Sequence, residues 1–485
     1  MAKKNNLFLL IKSLTKAEKR YFKLFAGMGG ESRNYIRLFD CIDRQEEYDE
    51  AAIRKHFKNE TFVAQLHVTK NYLNRLILKS LRNFHAHTSK DAELKELLRD
   101  IEILFKKELF DQCKYAIEKA KALASMYEKH LDLAEIHTWE RKLVLAISRA
   151  GGGKDALNTI IQNEKSALDR AQNLNAYWHL TLNLFDLLEQ TRFNESETKI
   201  GHPLLQDECS AESLSAKVLF YHNVQMYAFS KGDFERTEQV SDKMIALIES
   251  FPHLIKDNPV SYITTLNNRI GLCLQLKKYE MIRTLLQKVR TLPQKYGLKP
   301  QSPIAVKSLL QTYNVELEMY RDTGDFETGI ARIDEIKHIL EKPQSKIPAD
   351  YRLLLFYQFA YLYFMKQRYR ESLHWLNEIF AGKFGAVRED IQSYAQLLNL
   401  IIHFELGNIT ILKYGVETSR RFLKKKRELQ PFEKVLLRFF SKISLARQEA
   451  YPELFRKLKV DLFRDTGAKV KKNALDYLNF EAWIA

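Results

Sequence analysis

The stretch KGDFERTEQVSDKM (Lys231–Met244) returns further on as TGDFETGIARIDEI (Thr323–Ile336). Both carry Gly-Asp-Phe, in a chain with only 17 glycines and 10 prolines among its 485 residues. Three more segments align with them: LKKYEMIRTLLQKV from Leu276, KQRYRESLHWLNEI from Lys366 and LGNITILKYGVETS from Leu406. A weaker copy, KELFDQCKYAIEKA, begins at Lys107. Each has a polar or glycine turn and then a large apolar anchor: Phe110, Phe234, Tyr279, Phe326, Tyr369 or Ile409. Small or apolar residues follow three, seven and ten positions on, as Ser372, Leu376 and Ile379 follow Tyr369. That is the stripe of an amphipathic helix. Before the turn stands another helical stretch with its own aromatic, Tyr320 ahead of Phe326 and Tyr363 ahead of Tyr369. The predicted unit is helix, tight turn, helix. Glycine takes the left-handed conformation that ends the first helix. Aspartate caps the second helix or starts its first turn, where negative charge is favoured, and the aromatic anchor staples the two together. One hairpin cannot bury its apolar faces alone, so the pattern predicts an array.

From Phe234 to Ile409 the anchors are 45, 47, 43 and 40 residues apart. The second-helix pattern of Gly232–Met244 and Gly324–Ile336 resembles the tetratricopeptide repeat (TPR) family, and the likeness covers roughly residues 95–420. It departs from that family in three ways. The spacing exceeds about 34 residues. Cys113, Thr237 or Ile282 stands where a small residue is usual, and the Trp-Leu-Gly start of the first helix is absent. The resemblance implies an all-α right-handed solenoid of antiparallel hairpins, with ligands on the inner faces of the first helices. Twelve residues before the anchors Phe234, Tyr279, Phe326 and Tyr369 stand His222, Asn267, Asn314 and Tyr357. All four can hydrogen-bond, and an Asn amide both donates and accepts, which suits an extended peptide backbone. SFPHLIKDNP (250–259), LPQKYGLKPQSP (292–303) and KPQSKIP (342–348) read as linkers. SRAGGGKDA (148–156) reads as one more interhelical turn, in a region where the repeat phase is not fixed.

The net charge is +16. Residues 1–90 hold 18 Lys and Arg against 9 Asp and Glu, and residues 411–485 hold the same numbers. The middle is slightly negative, so the excess sits at the ends and points to nucleic acid or an acidic surface as a partner there. The expected domains are a basic helical domain at 1–90, the repeat array at 91–410 and a basic helical cap at 411–485, whose tail LDYLNFEAWIA folds back. Residues 1–90 predict helices near 15–26, 32–45, 49–58 and 62–86, with a capping box at Thr15 and Glu18. In the last of these, Leu66, Leu73, Ile77 and Phe84 share one face and Arg75, Lys79 and Arg82 the opposite one. A short helix, a turn and a longer basic helix loosely resemble a helix-turn-helix, which implies a nucleic-acid contact through Arg75, Lys79 and Arg82. The cluster RRFLKKKRE adds Arg420, Arg421, Lys424, Lys425, Lys426 and Arg427 as candidate phosphate contacts.

Several motifs do not reach the chemistry they suggest. AGGGKDA has Ser148 and Asp155 where a phosphate loop needs Gly and Ser or Thr. GMGG (27–30) lacks a strand before it. His85 and His87 are two apart and do not share a helix face, and His137 with Glu140 is one common pair. Cys41, Cys113, Cys209 and Cys273 lie far apart, which predicts reduced, mostly buried thiols in the cytoplasm. No apolar run approaches the ~20 residues that span a membrane. The expectation is therefore no enzyme, no cofactor and no metal. The leading function is a scaffold that holds a protein or peptide in a concave groove. The alternative is a nucleic-acid-binding regulator that uses the basic N-terminal helix-turn-helix-like domain while the repeats sense a partner. A third reading has both basic ends forming one positive surface for a ribosome- or RNA-sized partner if the array curves enough. Ligand identity and oligomeric state are left open.

Overall fold

The computed structural model describes residues 6–28, 33–86, 88–147, 153–191, 202–299, 302–341, 347–382, 384–385, 387–426, 428–465, 478 and 483–484. Among them are 22 α-helices and no strand. The chain divides into two compact units, Met1–Leu247 and Ile248–Ala485.

In the first unit, α1 (Asn6–Ser13), α2 (Lys16–Met28), α3 (Arg33–Arg44), α4 (Glu50–His56) and α5 (Leu66–Phe84) enclose their own core, which includes Ile11, Phe22, Phe39, Ile53, Leu73 and Ile77. α1 is a helix that the sequence reading did not include. The capping box is present: the Thr15 amide donates to Glu18 at 2.7 Å and the Glu18 amide to the Thr15 hydroxyl at 3.2 Å. α5 packs on α2, α1 and α3. Leu66, Leu73 and Ile77 are buried as expected, but Phe84, at the frayed end of the helix, is partly exposed. α6 (Lys90–Lys106), α7 (Phe110–Met126), α8 (His130–Ile147) and α9 (Lys154–Thr191) then pack each on the next, and α9 packs on α10 (Leu214–Ser230). SRAGGGKDA falls between α8 and α9, with 148–152 outside the described residues. α11 (Phe234–Glu249) ends two residues past the division of the units.

Two long-range ties hold the start of α10. Glu128, in the turn between α7 and α8, accepts from the Leu214 amide at 2.6 Å and from the Ser215 amide and hydroxyl, both at 2.8 Å. A carboxylate on the free amides of a helix start is favoured by both hydrogen bonding and the helix dipole. Asn173 of α9 holds the preceding segment through the Ser210 carbonyl and the Glu212 amide.

The second unit opens with α12 (Pro252–Asp257), a short helix where the sequence suggested a linker. Its Pro252, and Pro259 of α13 (Pro259–Gln275), occupy the first helical turn, where a missing N–H costs nothing. α14 (Tyr279–Tyr296) likewise continues through Pro293 into the second expected linker before Gly297 ends it. Hairpins follow: α15 (Pro303–Thr323) with α16 (Phe326–Leu340), α17 (Ala349–Met365) with α18 (Tyr369–Ala381), α19 (Glu389–Glu405) with α20 (Ile409–Lys426), and α21 (Pro431–Ile443) with α22 (Tyr451–Asp465). The linker KPQSKIP has 342–346 outside the described residues. The first helices pack in sequence, α13 on α15, α15 on α17, α17 on α19 and α19 on α21. One core runs from Leu310 to Leu478, so the helices after residue 410 share it with the hairpins before them. Trp483 of the tail folds back onto Phe404, Phe439, Phe440 and Phe455, and its ring N–H donates to Glu405 at 2.7 Å.

All six anchors, Phe110, Phe234, Tyr279, Phe326, Tyr369 and Ile409, are the first residue of a helix. Two positions before each stands a residue with positive φ: Glu108, Gly232, Lys277, Gly324, Gln367 and Gly407. After it, the Asp233 amide reaches back to the Ala228 carbonyl at 3.0 Å, and Lys278, Arg368 and Asn408 repeat that bond to Cys273, Tyr363 and His403. This is the Schellman closure that stops a helix. Asp233 and Asp325 then accept from Arg236 and Thr328 as caps. The residues three, seven and ten after Phe234, namely Thr237, Ser241 and Met244, are buried, as are Ser372, Leu376 and Ile379 after Tyr369. Opposite substitutions at this turn therefore have opposite signs. Gly324→Ala meets no atom within 4 Å of the added carbon, so its loss is the backbone penalty alone, about 1 kcal/mol. Gln367→Gly relieves that penalty and raises stability by about 0.5 kcal/mol, the glycine recovering part through its own entropy cost. Urea unfolding midpoints that move in the same direction for both variants would contradict the shared conformation.

Candidate binding surfaces

The four residues expected to face a ligand do not share one environment. His222 lies on α10 of the first unit, half-buried, and burial holds its imidazole below its usual pKa, in the neutral form at pH 7. Asn267 on α13 and Asn314 on α15 are half-buried in the second unit. Tyr357 on α17 is different: it is 1 % exposed and belongs to the core. A ligand on the surface cannot reach its ring, because the first helices pack closely enough here to cover the position.

Asn314 is the residue with spare bonding capacity. Its Oδ1 is closed to solvent and accepts no hydrogen bond. Gln358, beside Tyr357, has an unpaired buried Oε1 as well. Buried polar atoms are nearly always paired, and an unpaired one costs about 1–3 kcal/mol. One and two turns along α15 from Asn314 stand Glu318 and Arg321. The Arg321 guanidinium lies 5.6 Å from the centre of the Tyr361 ring and 3.7 Å from Glu318. Asn314, Glu318 and Arg321 thus line one side of α15, and the Arg321 guanidinium lies over the Tyr361 ring of α17.

Another face of α15 carries a group the sequence reading missed. Glu316 is buried. Arg290 of α14 donates to it at 2.5 Å and also to Thr312 at 3.1 Å. The Tyr320 hydroxyl reaches Glu316 at 3.1 Å, and Arg332 of α16 stands 3.7 Å away and pairs with Glu335 at 3.0 Å. Tyr313 donates to Glu335, and this bond, after burial, holds the phenol far above its usual pKa. The network joins three consecutive helices through charge. Thr312, Glu316 and Tyr320 recur every four residues, a polar stripe inside a helix, and that spacing was the available signal.

On α5, Arg75, Lys79 and Arg82 are exposed, as the sequence suggested. The helix-turn-helix likeness is looser. α4 has seven residues, a 3-10 turn at Thr61–Gln65 follows it, and the main partner of α5 is α2. Lys70 of α5 binds Glu50 of α4 at 2.6 Å, and this bond, with those from Arg54, holds the Glu50 carboxyl down to about 2. In the C-terminal cluster, Arg420 is half-buried and paired with Glu417 at 2.9 Å, while Arg421 and Lys424 are exposed. Arg427 lies outside the described residues, and the side chains of Lys425 and Lys426 are not described.

Two of the histidines singled out in the sequence have structural partners. His85 meets Glu18 at 2.7 Å, with His87 outside the described residues, and His137 is buried against Glu140 at 2.9 Å. The cysteines are all free, with Cys113 and Cys273 buried. Cys209 is exposed, because it sits in a short 3-10 turn with no helix face to bury it. Among the described residues, no group of three or more His, Cys, Asp or Glu is placed to hold a metal. No described helix is long and apolar enough to cross a membrane.

No protein-family model, curated protein or solved structure matches the chain.

Proposed function

We propose that the hairpins of the second unit form a TPR-like right-handed repeat array, a non-catalytic scaffold that binds an extended peptide or protein segment along its first helices. The unpaired Asn314 Oδ1 carries this reading. No intramolecular bond is made to that oxygen, so a turn of the side chain toward the surface would let it accept an N–H from a ligand backbone without breaking a bond. Asn267 occupies the equivalent position one hairpin earlier, on a first helix that packs against α15. Amides repeated from hairpin to hairpin suit a strand-like segment, whose own backbone groups repeat. His222 belongs to the first unit and would serve a separate contact there. Tyr357 supports the surface from beneath.

The test is selection of random linear peptides on the full-length protein. Selected peptides should lose about tenfold in affinity on Asn314→Ala, the worth of one to two buried hydrogen bonds. They should lose more on Asn267→Ala/Asn314→Ala, with no loss of thermal stability, since Asn314→Ala removes an unpaired buried acceptor. Equal binding by the wild type and the double variant would place the ligand on another face.

A further inference from the structure

The five N-terminal helices carry a surface for which the peptide reading has no use. α5 has no carboxylate along its 19 residues. α2 has one, Glu18, and its oxygens already take the Thr15 amide and hydroxyl and the His85 ring. Lys19 and Lys23 of α2 turn to α3 and are neutralised by Asp43 and Asp40, each at 2.6 Å. Lys16, Arg20, Arg75, Lys79 and Arg82 are exposed, and none has an ion-pair partner among the described residues. Arg75, Lys79 and Arg82 recur at steps of four and three on one face of α5, a ridge about 10 Å long at 1.5 Å per residue. α2 packs along α5 beside that ridge, with the Lys79 ammonium 6.0 Å from the Phe25 ring centre and Tyr21 against Phe84.

The geometry points to a duplex nucleic acid as the occupant of this α2–α5 face, held through its phosphates. The ridge is fixed, because the opposite side of α5 is locked into a core by Leu66, Leu73 and Ile77. The backbone positions of its cations are therefore set before a partner arrives, and their spacing suits a polymer with regularly placed charges. Membrane insertion needs a continuous apolar face. The core side of α5 is buried, and the exposed apolar residues nearby, Leu24, Leu78 and Phe84, are interspersed in sequence with Lys23, Lys79 and Arg82. Protein interfaces centre on a buried aromatic anchor in a pocket, whereas charge is what this face offers. The C-terminal basic cluster is the weaker candidate, since Arg420 is already paired with Glu417.

The experiment follows the anisotropy of a labelled mixed-sequence DNA duplex of about 20 base pairs with the full-length protein, at about 50 and 200 mM salt. Between those salts, wild-type affinity should fall about 40-fold more than that of Arg75→Gln/Lys79→Gln/Arg82→Gln, the share of three released counterions. Arg75→Lys/Arg82→Lys keeps the charges and should keep the wild-type salt dependence. Asn314→Ala should leave duplex binding unchanged, which separates this surface from the peptide reading. Circular dichroism should report an intact fold for the glutamine variant, because all three side chains are exposed. The proposal is overturned if the glutamine variant binds with wild-type affinity and salt dependence. It is equally overturned if the wild type takes up anionic lipid vesicles or an acidic peptide and leaves the duplex free.

Discussion

Glu316→Ala lowers the stability of the second unit by about 3 kcal/mol, the cost of leaving a largely buried cation without its partner. The carboxylate is the hub of a group that joins α14, α15 and α16. Arg290 is the partner most affected, since it is the more buried of the two arginines and donates at 2.5 Å. Arg332 keeps Glu335, so its share of the loss is small. Glu316→Gln retains an acceptor for Arg290 and should cost less. Arg290→Met/Glu316→Leu should recover most of the loss, because a buried ion pair replaced by apolar groups of similar size is often neutral. A double-mutant cycle on urea midpoints isolates the coupling. A coupling below about 0.5 kcal/mol would mean that water screens the pair as it does at a surface.

Tyr357→Ala costs a similar amount, about 3–4 kcal/mol, because it empties a fully covered aromatic site in the largest core. The same change at an exposed ligand contact would stay within about 0.5 kcal/mol. Its thermal melt therefore decides between support and contact at this position. A variant that melts with the wild type and loses only peptide binding would return Tyr357 to the ligand face.

The hairpins were legible where chemistry marks the turn. Gly232, Gly324 and Gly407 announce a left-handed residue, and the stripes after Phe234 and Tyr369 give the buried face. Glu108, Lys277 and Gln367 adopt the same conformation without the residue that signals it. Those copies could be aligned only by their anchors, since tertiary packing overrides the local preference. Tyr357 was misplaced for a different reason. α17 reads ADYRLLLFYQFAYLYFM, apolar on nearly every side, so no stripe shows which face is outward. The Glu316 group was hidden by the usual equation of charge with surface. The ridge on α5 was visible because its apolar and basic faces lie opposite one another. The sequence could not show that α2 contributes a single carboxylate already engaged by His85, since that contact joins residues 67 positions apart.

Most helices of both units touch the helix next in sequence. Local order of that kind keeps the search short during folding and lets a chain add hairpins as it leaves the ribosome. Glu128 breaks the rule. Its carboxylate waits for amides 86 and 87 residues downstream. Until they arrive it sits in a turn with positive φ, held by the local bonds from the Glu128 amide to Ser125 and from the Lys129 amide to Ala124. The tie between the α7–α8 turn and α10 therefore cannot form until 86 further residues have been made.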